Sequence, residues 1–282
     1  MPDFSEIVEI LPPLREVIRA HNLRAEKSLG QNFLLDMNIT DKIIRHAFAH
    51  YKDLERLNVF EVGPGPGGLT RSILKAPIKH LTAIEFDPRA VGALQDLVGA
   101  MDGRLDVLQQ DALSTDMKIL ADAPRAIIAN LPYNIATPLT IGWLKQIHTD
   151  PQSYDVMALM YQKEVAQRIT AKVGDKAYGR LSVLAGWLCE TKILFDLPGS
   201  AFVPPPKVKS SIVRFTPKAR SDKAQFTVLE NITAAAFGQR RKMVRSSLAD
   251  YAQYFEVCDI DPQARAENLS VAQYVALSEA VA

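Results

Sequence analysis

Short apolar runs alternate with amphipathic stretches through the first three quarters of the chain. The pattern predicts strands at 58–62, 80–85, 104–109, 126–130 and 154–161, and helices at about 67–75, 88–98, 137–147 and 162–171. Two further segments, Val183 to Leu197 and Lys209 to Phe215, have the pattern of late strands. Alternating units of this length are typical of an α/β fold, with a parallel sheet and helices on both faces.

Both ends of the chain are predicted to be helical. Apolar positions between 7 and 18 indicate a helix that is interrupted at Pro12 and Pro13. Before the first strand of the sheet, Thr40 and Asp41 are suitable residues for starting another helix. Beyond a linker from Pro217 to Asp222, apolar residues recur at helical spacing. We therefore expect a helical extension over residues 1–24, an α/β domain over 25–217, and a small all-helical C-terminal domain over 222–282.

Composition excludes several classes of protein. The chain has 282 residues, 48% of them hydrophobic, which is ordinary globular composition. Cys189 and Cys258 have neither disulfide-framework nor metal-site spacing, so we expect buried thiols in a reducing cytoplasm and no metal. No apolar run reaches the length of a membrane span, and the acidic N-terminus is unlike a targeting peptide.

The net charge of +1 conceals two basic segments. Residues 197–221 carry five cations and residues 231–249 carry four, with no acid in either segment, so the remainder of the chain is acidic. Such a distribution is typical of a protein that binds a polyanion on one face, although two solvated basic surfaces would produce the same pattern.

A glycine-rich turn follows the strand at 58–62. Gly63, Gly65 and Gly68 match the G-x-G-x-x-G pattern of nucleotide-binding turns, and Glu85 ends the next strand, where an acid could bind a ribose diol. The prolines at 64 and 66 lack the amide hydrogen that a pyrophosphate would need, which favours S-adenosylmethionine over a nicotinamide dinucleotide. Asp111 ends the following strand and could accept a hydrogen bond from an adenine amino group.

A second turn, NLPY at residues 130–133, follows a later strand. The side-chain oxygen of Asn130 and the carbonyl of Leu131 could accept both hydrogens of an exocyclic amine. Pro132 would stiffen the turn and Tyr133 could stack on a base. Acceptors on both hydrogens would free the nitrogen lone pair for methyl transfer, so that catalysis would consist mainly of positioning and electrostatic stabilisation. A capped strand–helix turn would have a similar sequence.

Together these segments resemble the ribosomal RNA adenine N6-dimethyltransferases, specifically the bacterial small-subunit type. The resemblance runs from Lys27 to Leu248 and is carried by ordered blocks: KSLGQNFL (27–34), EVGPGPGG (61–68), IEFD (84–87), QDA (110–112), NLPYNIATPL (130–139), QKEV (162–165), AYGRLSV (177–183), FVPPPKVKS (202–210) and FGQRRK (237–242).

The resemblance implies a Rossmann-like S-adenosylmethionine-dependent methyltransferase domain that dimethylates two adjacent adenosines near the 3′ end of small-subunit rRNA, within a pre-30S-type particle. We expect a cytoplasmic monomer. Cofactor-binding positions are expected at Gln31, Asn32, Leu34, Gly63, Gly65, Glu85, Asp111 and Asn130. Catalytic positions are expected at Asn130, Leu131, Pro132, Tyr133 and Phe202, the last covering one face of the target base. RNA-binding positions are expected at Lys207, Lys209, Arg240, Arg241, Lys242 and Arg245.

Three alternatives remain at this point. A large-subunit rRNA dimethyltransferase of the antibiotic-resistance type would share the fold and the catalytic turn, but the blocks at 177–183 and 237–242 favour the small-subunit branch. An RNA-binding assembly factor without catalysis would not need the intact NLPY and glycine turns. A dehydrogenase is disfavoured by the two turn prolines.

Overall fold

The computed structural model describes residues 4–23 and 32–281. Its strands are β1 (Phe33–Leu34), β2 (Asn58–Val62), β3 (His80–Glu85), β4 (Leu105–Gln109), β5 (Arg125–Ala129), β6 (Val156–Gln162), β7 (Cys189–Leu197), β8 (Phe202–Val203) and β9 (Ser210–Pro217). Its α-helices are α1 (Phe4–Ile10), α2 (Leu14–Ala20), α3 (Met37–Ala47), α4 (Gly68–Lys75), α5 (Pro88–Ala93), α6 (Gln95–Ala100), α7 (Ala136–Thr149), α8 (Lys163–Thr170), α9 (Arg180–Leu188), α10 (Phe226–Gly238), α11 (Val244–Ser247) and α12 (Val271–Val281).

The central sheet has the strand order β4-β3-β2-β5-β6-β9-β7. The first five strands in this order are parallel, whereas β9 is antiparallel to both β6 and β7. The chain order reverses between β2 and β5, which creates a topological switch point where ligands bind in sheets of this kind. The predicted α/β, Rossmann-like fold is confirmed.

Helices cover both faces of this sheet. Alternate residues of one strand point to opposite faces, and the strands accordingly divide their side chains between two apolar clusters. Phe60 and Ile127 belong to one cluster with α7 and α9, while Val59 and Ile128 belong to the other with α3 and α4. Because helices cover both faces of the sheet, the parallel strands are almost continuously apolar. These apolar runs are the pattern from which the strands were predicted.

Three sequence expectations about secondary structure were wrong in detail. Residues 183–188 form part of α9, and the late strand begins at Cys189. The helix expected to start at Thr40 begins at Met37, because the Asp36 carboxylate accepts hydrogen bonds from the amides of residues 38 and 39 at 3.0 and 3.4 Å. The helix predicted over 88–98 is divided into α5 and α6.

The C-terminal part consists of α10, α11, α12 and short 3₁₀ turns. Its apolar residues, such as Leu229 and Tyr274, belong to the same cluster as Trp143 and Trp187 beneath the sheet. His148 bonds the carbonyl of Ala224 at 2.9 Å, which ties α7 to the connection before α10. In the described parts of the chain, no helix combines the length and the apolar character needed to cross a membrane.

Candidate cofactor and catalytic site

A cavity of about 240 Å³ opens at the carboxyl edge of the sheet. The glycine turn after β2, the acid that ends β3 and the NLPY turn after β5 all contribute to its walls. The carboxyl ends of parallel strands are the usual ligand-binding edge of an open α/β sheet, and β2 and β5 flank its switch point. The topology therefore brings the two turns, separated by some seventy residues in sequence, to one site.

The backbone N–H groups of the glycine turn are already hydrogen-bonded within the protein. The N–H groups of Gly63, Gly65 and Gly67 donate to the Ile84 carbonyl, the Glu85 carboxylate and the Pro64 carbonyl at 2.9, 3.1 and 3.0 Å. The prolines between them have no N–H to offer. Residues 63–67 therefore present no row of unpaired N–H groups that could bind a pyrophosphate. The turn fits a nucleoside ligand that has no phosphates.

Glu85 shapes this turn. Its Oε2 accepts the Gly65 amide, and its Oε1 accepts the amides of Phe86 and Asp87 at 2.8 and 2.9 Å. Burial raises the pKa of Glu85, and the three backbone hydrogen bonds oppose that rise by stabilising the carboxylate. Glu85 also lines the cavity, so the residue that organises the turn is part of the candidate site.

A second acid, Glu61, lines the cavity beside Glu85. Glu61 is 1% exposed, and its Oε2 has no hydrogen-bond partner among the described residues. Burial, with a smaller contribution from Glu85, raises the pKa of Glu61 to about 8, while Thr70 lowers it. A cationic ligand bound beside these two carboxyls would favour their ionised forms and so offset the effect of burial. Sequence reasoning gave Glu61 no role, although a lone acid within the buried strand β2 is a usable signal.

The NLPY turn is tied to the N-terminal segment of the site. The Asn130 side-chain nitrogen donates to the Asn32 carbonyl at 3.0 Å, and both residues line the cavity. This contact uses the donor end of the Asn130 amide. The side-chain oxygen is thus the end that can accept a hydrogen bond from a ligand amine.

Tyr133 has a partner that the sequence did not suggest. Its hydroxyl lies 2.7 Å from the hydroxyl of Ser210, the fully buried first residue of β9. Burial raises the pKa of Tyr133, so the phenol is neutral at physiological pH. The bond joins the NLPY turn to the start of β9, directly after the loop 204–209 that connects β8 with β9. Only the fold brings these residues together, since they are far apart in sequence.

Most sequence-predicted cofactor and catalytic positions lie around this one cavity: Asn32, Leu34, Gly63, Gly65, Glu85, Asp111, Asn130, Leu131, Pro132 and Tyr133. Gln31 lies outside the described residues. Phe202 is 2% exposed, pairs with Leu34 across the short β1–β8 ladder, and is absent from the described cavity lining. Its expected contact with the target base stays a prediction.

Apolar side chains exposed within the cavity are a further feature. Phe86 is 66% exposed and Leu113 is 51% exposed. Both line the cavity, as do Glu85 and Asp111 close to them in sequence. Exposed apolar side chains in a concave site suit a flat aromatic ligand such as adenine. The sequence singled out neither residue, although each lies within two positions of a predicted acid.

The predicted RNA-binding cations differ in their surroundings. Lys207 and Lys209 are exposed in the loop before Ser210, and Arg241, Lys242 and Arg245 are exposed after α10. Arg240 is engaged within the protein: its Nε lies 2.7 Å from Glu267 Oε2, and its Nη2 donates to the Lys176 carbonyl. Within residues 4–23 and 32–281, no cluster of three or more His, Cys, Asp or Glu side chains could hold a metal ion.

The fold and the site define an α/β methyltransferase class that uses S-adenosylmethionine. A parallel sheet, a glycine turn without free phosphate-binding amides and two buried acids at its carboxyl edge fit a cationic nucleoside donor. Residues 22–282 match the family described as ribosomal RNA adenine dimethylase, and the chain belongs to that family.

Known proteins support this assignment over nearly the whole chain. A ribosomal RNA small subunit methyltransferase A from Rhodopseudomonas palustris (strain TIE-1) is 53% identical over 280 residues, 98% of this chain and 96% of its own. The protein of that name from Bradyrhizobium sp. (strain BTAi1) is 51% identical over 276 residues, 96% of this chain and 95% of its own.

Solved structures agree with the fold. A dimethyladenosine transferase from Plasmodium falciparum superimposes with a TM-score of 0.70 at 27% identity, covering 86% of this chain and 94% of that one. The 23S rRNA methyltransferase ErmE has a TM-score of 0.66 at 23% identity, covering 88% of this chain and 98% of that one, and it shares the fold.

Proposed function

We propose that this protein transfers methyl groups from S-adenosylmethionine to N6 of two adjacent adenosines near the 3′ end of small-subunit rRNA, giving N6,N6-dimethyladenosine. The names of its relatives support the small-subunit substrate, because the identity of 53% extends over 98% of the chain. The observation that carries the chemistry is the Asn130 amide, which the Asn32 carbonyl orients at the edge of the cofactor cavity.

The donor would lie along the carboxyl edge of the sheet. Glu85 would accept hydrogen bonds from the ribose hydroxyls, and Asp111 would accept one from the adenine amino group. Phe86 and Leu113 offer apolar surface for the adenine ring. Asn32, Leu34 and the glycine turn would border the methionine end, near the unpaired oxygen of Glu61. When bound, the sulfonium supplies an electrophilic methyl group.

The chain's own residues position the acceptor. The Asn130 oxygen and the Leu131 carbonyl would accept the two N6 hydrogens, which directs the nitrogen lone pair toward the methyl group. Tyr133 would stack on the base, and Pro132 would hold the turn rigid. As the C–N bond forms, the methyl–sulfur bond of the donor would break and leave S-adenosylhomocysteine. The N6 proton becomes acidic only at this stage and would pass to water, so no strong base is required, and the contacts to N6 are worth most in the transition state.

Dimethylation follows from the same geometry. After one transfer, N6 retains one hydrogen and can still donate to one of the two acceptors. The lone pair can then be directed at a second sulfonium after the cofactor has exchanged. We therefore propose N6,N6-dimethyladenosine as the end product and monomethyladenosine as a transient species.

We further propose that the substrate is a pre-30S-type particle and that the protein acts as a monomer. Lys207, Lys209, Arg241, Lys242 and Arg245 would contact phosphates, and their exposure supports this. Phe202 would cover the base after a local rearrangement of the β8 region. The compartment would be the cytoplasm, where ribosomal particles are assembled in bacteria such as those that provide the relatives.

The deciding experiment uses labelled S-adenosylmethionine with separated, unmodified ribosomal subunits, followed by mass spectrometry of nuclease-digested RNA over a time course. We expect dimethyladenosine in small-subunit RNA at completion. Persistent monomethyladenosine would contradict the proposed product, and label confined to large-subunit RNA would support the antibiotic-resistance branch.

Asn130→Ala is the matched variant for this experiment. It should slow methyl transfer at saturating cofactor at least about 100-fold, the scale expected for losing a transition-state acceptor, and calorimetry with S-adenosylhomocysteine measures any loss of cofactor affinity separately. Full activity in this variant would remove Asn130 from the proposed mechanism.

A further inference from the structure

The helical extension at residues 4–23 precedes almost all of the segment that matches the family, which begins at residue 22. Its two helices pack on the side of the glycine turn and α4. Phe4 and Val8 are buried in the same apolar cluster as Leu69 and Ile73 of α4. The extension is therefore part of the folded core around the site.

A buried cation on α4 depends on the extension. Arg71 is 8% exposed, and its Nη1 donates to the carbonyl of Pro12 at 2.8 Å. Its Nε has no partner among the described residues. The extension both supplies this hydrogen bond and surrounds the Arg71 side chain, so moving it away would break the bond and change the surroundings of the guanidinium. Arg71 therefore links the conformation of the helix after the glycine turn to the presence of α1 and α2.

The extension also encloses the first residue of α4. A Cβ atom at Gly68 would lie 3.3 Å from Leu14 Cδ1 and 2.2 Å from the Leu34 carbonyl oxygen. Leu14 of the extension and the Leu34 carbonyl of the β1 segment therefore both lie close to the same face of Gly68. Gly68 and Leu34 both line the cofactor cavity.

The end of the extension also packs beside the site. Leu23 clusters with Phe33, Ala90 and Ala93. The Phe33 ring in turn lies 3.0 Å from the position of a Cβ on Gly65, within the glycine turn. The extension therefore contacts the β1 segment at Phe33, and through the Phe33 ring it is connected to the glycine turn.

We propose that residues 4–23 brace the cofactor site: they hold the glycine turn and the Phe33–Leu34 segment in their binding geometry, so that docking of the extension and binding of S-adenosylmethionine are coupled. This proposal rests on the cofactor assignment in the proposed function. Its residues are positioning residues, since they act through Gly68, Gly65 and Phe33.

Leu14→Ala tests the brace in the full-length protein. We expect the calorimetric Kd for S-adenosylmethionine to rise about tenfold, within the usual range for coupled sites. The KM for the cofactor should rise with it, while kcat at saturating cofactor stays unchanged. Leu14→Met, which restores the volume, should recover the affinity.

Two controls separate bracing from loss of stability. Ile10→Ala changes a residue of the same extension that is 83% exposed and should bind the cofactor like the wild type. Leu229→Ala removes a fully buried side chain of α10 in the other cluster, so it should lower the melting temperature without changing the Kd. A Leu14→Ala protein that is destabilised but binds the cofactor normally would overturn the proposal.

Hydrogen exchange on the wild type provides a test that needs no variant. Because coupling is reciprocal, S-adenosylhomocysteine should slow amide exchange in residues 14–23. Exchange that does not respond to this ligand would contradict the brace. Both measurements are independent of RNA, so methylation of a different RNA would refute the small-subunit substrate and leave this proposal standing.

Discussion

At the scale of single residues, the Tyr133 hydroxyl makes a contact that is separate from the stacking proposed for its ring. Its 2.7 Å contact with Ser210 connects the NLPY turn to the start of β9, directly after the exposed Lys209. The turn proposed to be catalytic is thus joined, by one partly buried hydrogen bond, to the strand that follows a loop proposed to contact RNA. This bond can position the ring without taking part in the chemistry.

Tyr133→Phe and Ser210→Ala should each slow single-turnover methylation by up to about tenfold, since each removes the same hydrogen bond of about 1 kcal/mol. The double variant should be no slower than the single variants, because the two residues share one interaction. Tyr133→Ala should be far slower because the ring is lost. Fully additive effects, or a Phe variant as slow as the Ala variant, would contradict this role.

The raised pKa of Glu61 predicts an unusual dependence of the free energy of unfolding on pH. Its pKa, raised by burial to about 8, is well above the ordinary value of 4.5. Thr70 lowers the pKa, yet Glu61 Oε2 and the Thr70 hydroxyl lack a well-formed hydrogen bond within the described chain. Between these pH values the folded, cofactor-free protein holds a proton that the unfolded chain releases.

The free energy of unfolding should therefore fall as pH rises from about 5 to about 8, by at most about 1.4 kcal/mol per pH unit from this group. Glu61→Gln, which cannot titrate, should remove that part of the slope. Denaturant titrations of both proteins across the range measure the difference. Parallel stability profiles for the two proteins would show that Glu61 is ionised throughout.

At the scale of secondary-structure elements, the sequence predicted the parallel strands well because buried strands form compact apolar runs. The positions of two acids followed from those boundaries: Glu85 ends β3, and Asp111, which was expected to end its strand, lies two residues beyond the end of β4. Residues 183–188 were mistaken for strand, since a short apolar run does not distinguish a buried helix from a buried strand. The two-residue β1–β8 pairing and the contacts of Ser210 depend on tertiary structure and left no local pattern.

The glycine turn allows a matched test of element geometry. Gly65 has φ +54° and the Phe33 ring 3.0 Å from a Cβ position, whereas Gly103 has φ +75° and no heavy atom within 4 Å of its Cβ position. Alanine is strained at both, but only at Gly65 does it also displace a ring that lines the cavity.

Both variants should lose about 1 kcal/mol or more of stability through backbone strain. Gly65→Ala should in addition weaken S-adenosylmethionine binding by at least about tenfold, or 1.4 kcal/mol. Calorimetry on both variants separates the two effects. Equal cofactor affinity in the two proteins would mean that the turn adapts to the added methyl group.

At the scale of the whole molecule, the two basic segments are less uniform than their composition indicates. In the first, the Arg220 guanidinium lies 4.6 Å from the centre of the Trp187 ring and pairs with Asp222, and Lys218 donates to the Gly186 carbonyl. In the second, Arg240 joins Glu267 to the loop before α9. Part of the charge therefore stabilises the packing of the C-terminal helices, and the exposed remainder is available to a polyanion.

This division predicts different consequences for neighbouring arginines. Replacing Arg241 and Lys242 together with alanine should weaken RNA binding and lower the slope of log Kd against log salt by about 1.5, because two exposed cations would no longer displace counterions. Arg240→Ala should mainly lower the melting temperature, since it breaks the contacts with Glu267 and the Lys176 carbonyl. The salt slope of Arg240→Ala should change by less than that of the double variant.

Cofactor affinity should be unchanged in the double variant and in Arg240→Ala, because neither change reaches the cavity. Filter binding to small-subunit RNA over a range of salt concentrations measures the RNA affinity and its salt slope, thermal unfolding measures the melting temperature, and calorimetry measures the cofactor affinity. An unchanged salt slope in the double variant would mean that Arg241 and Lys242 belong to an ordinary solvated surface and do not bind RNA. A large change in the salt slope for Arg240→Ala alone would mean that Arg240 leaves Glu267 to bind RNA.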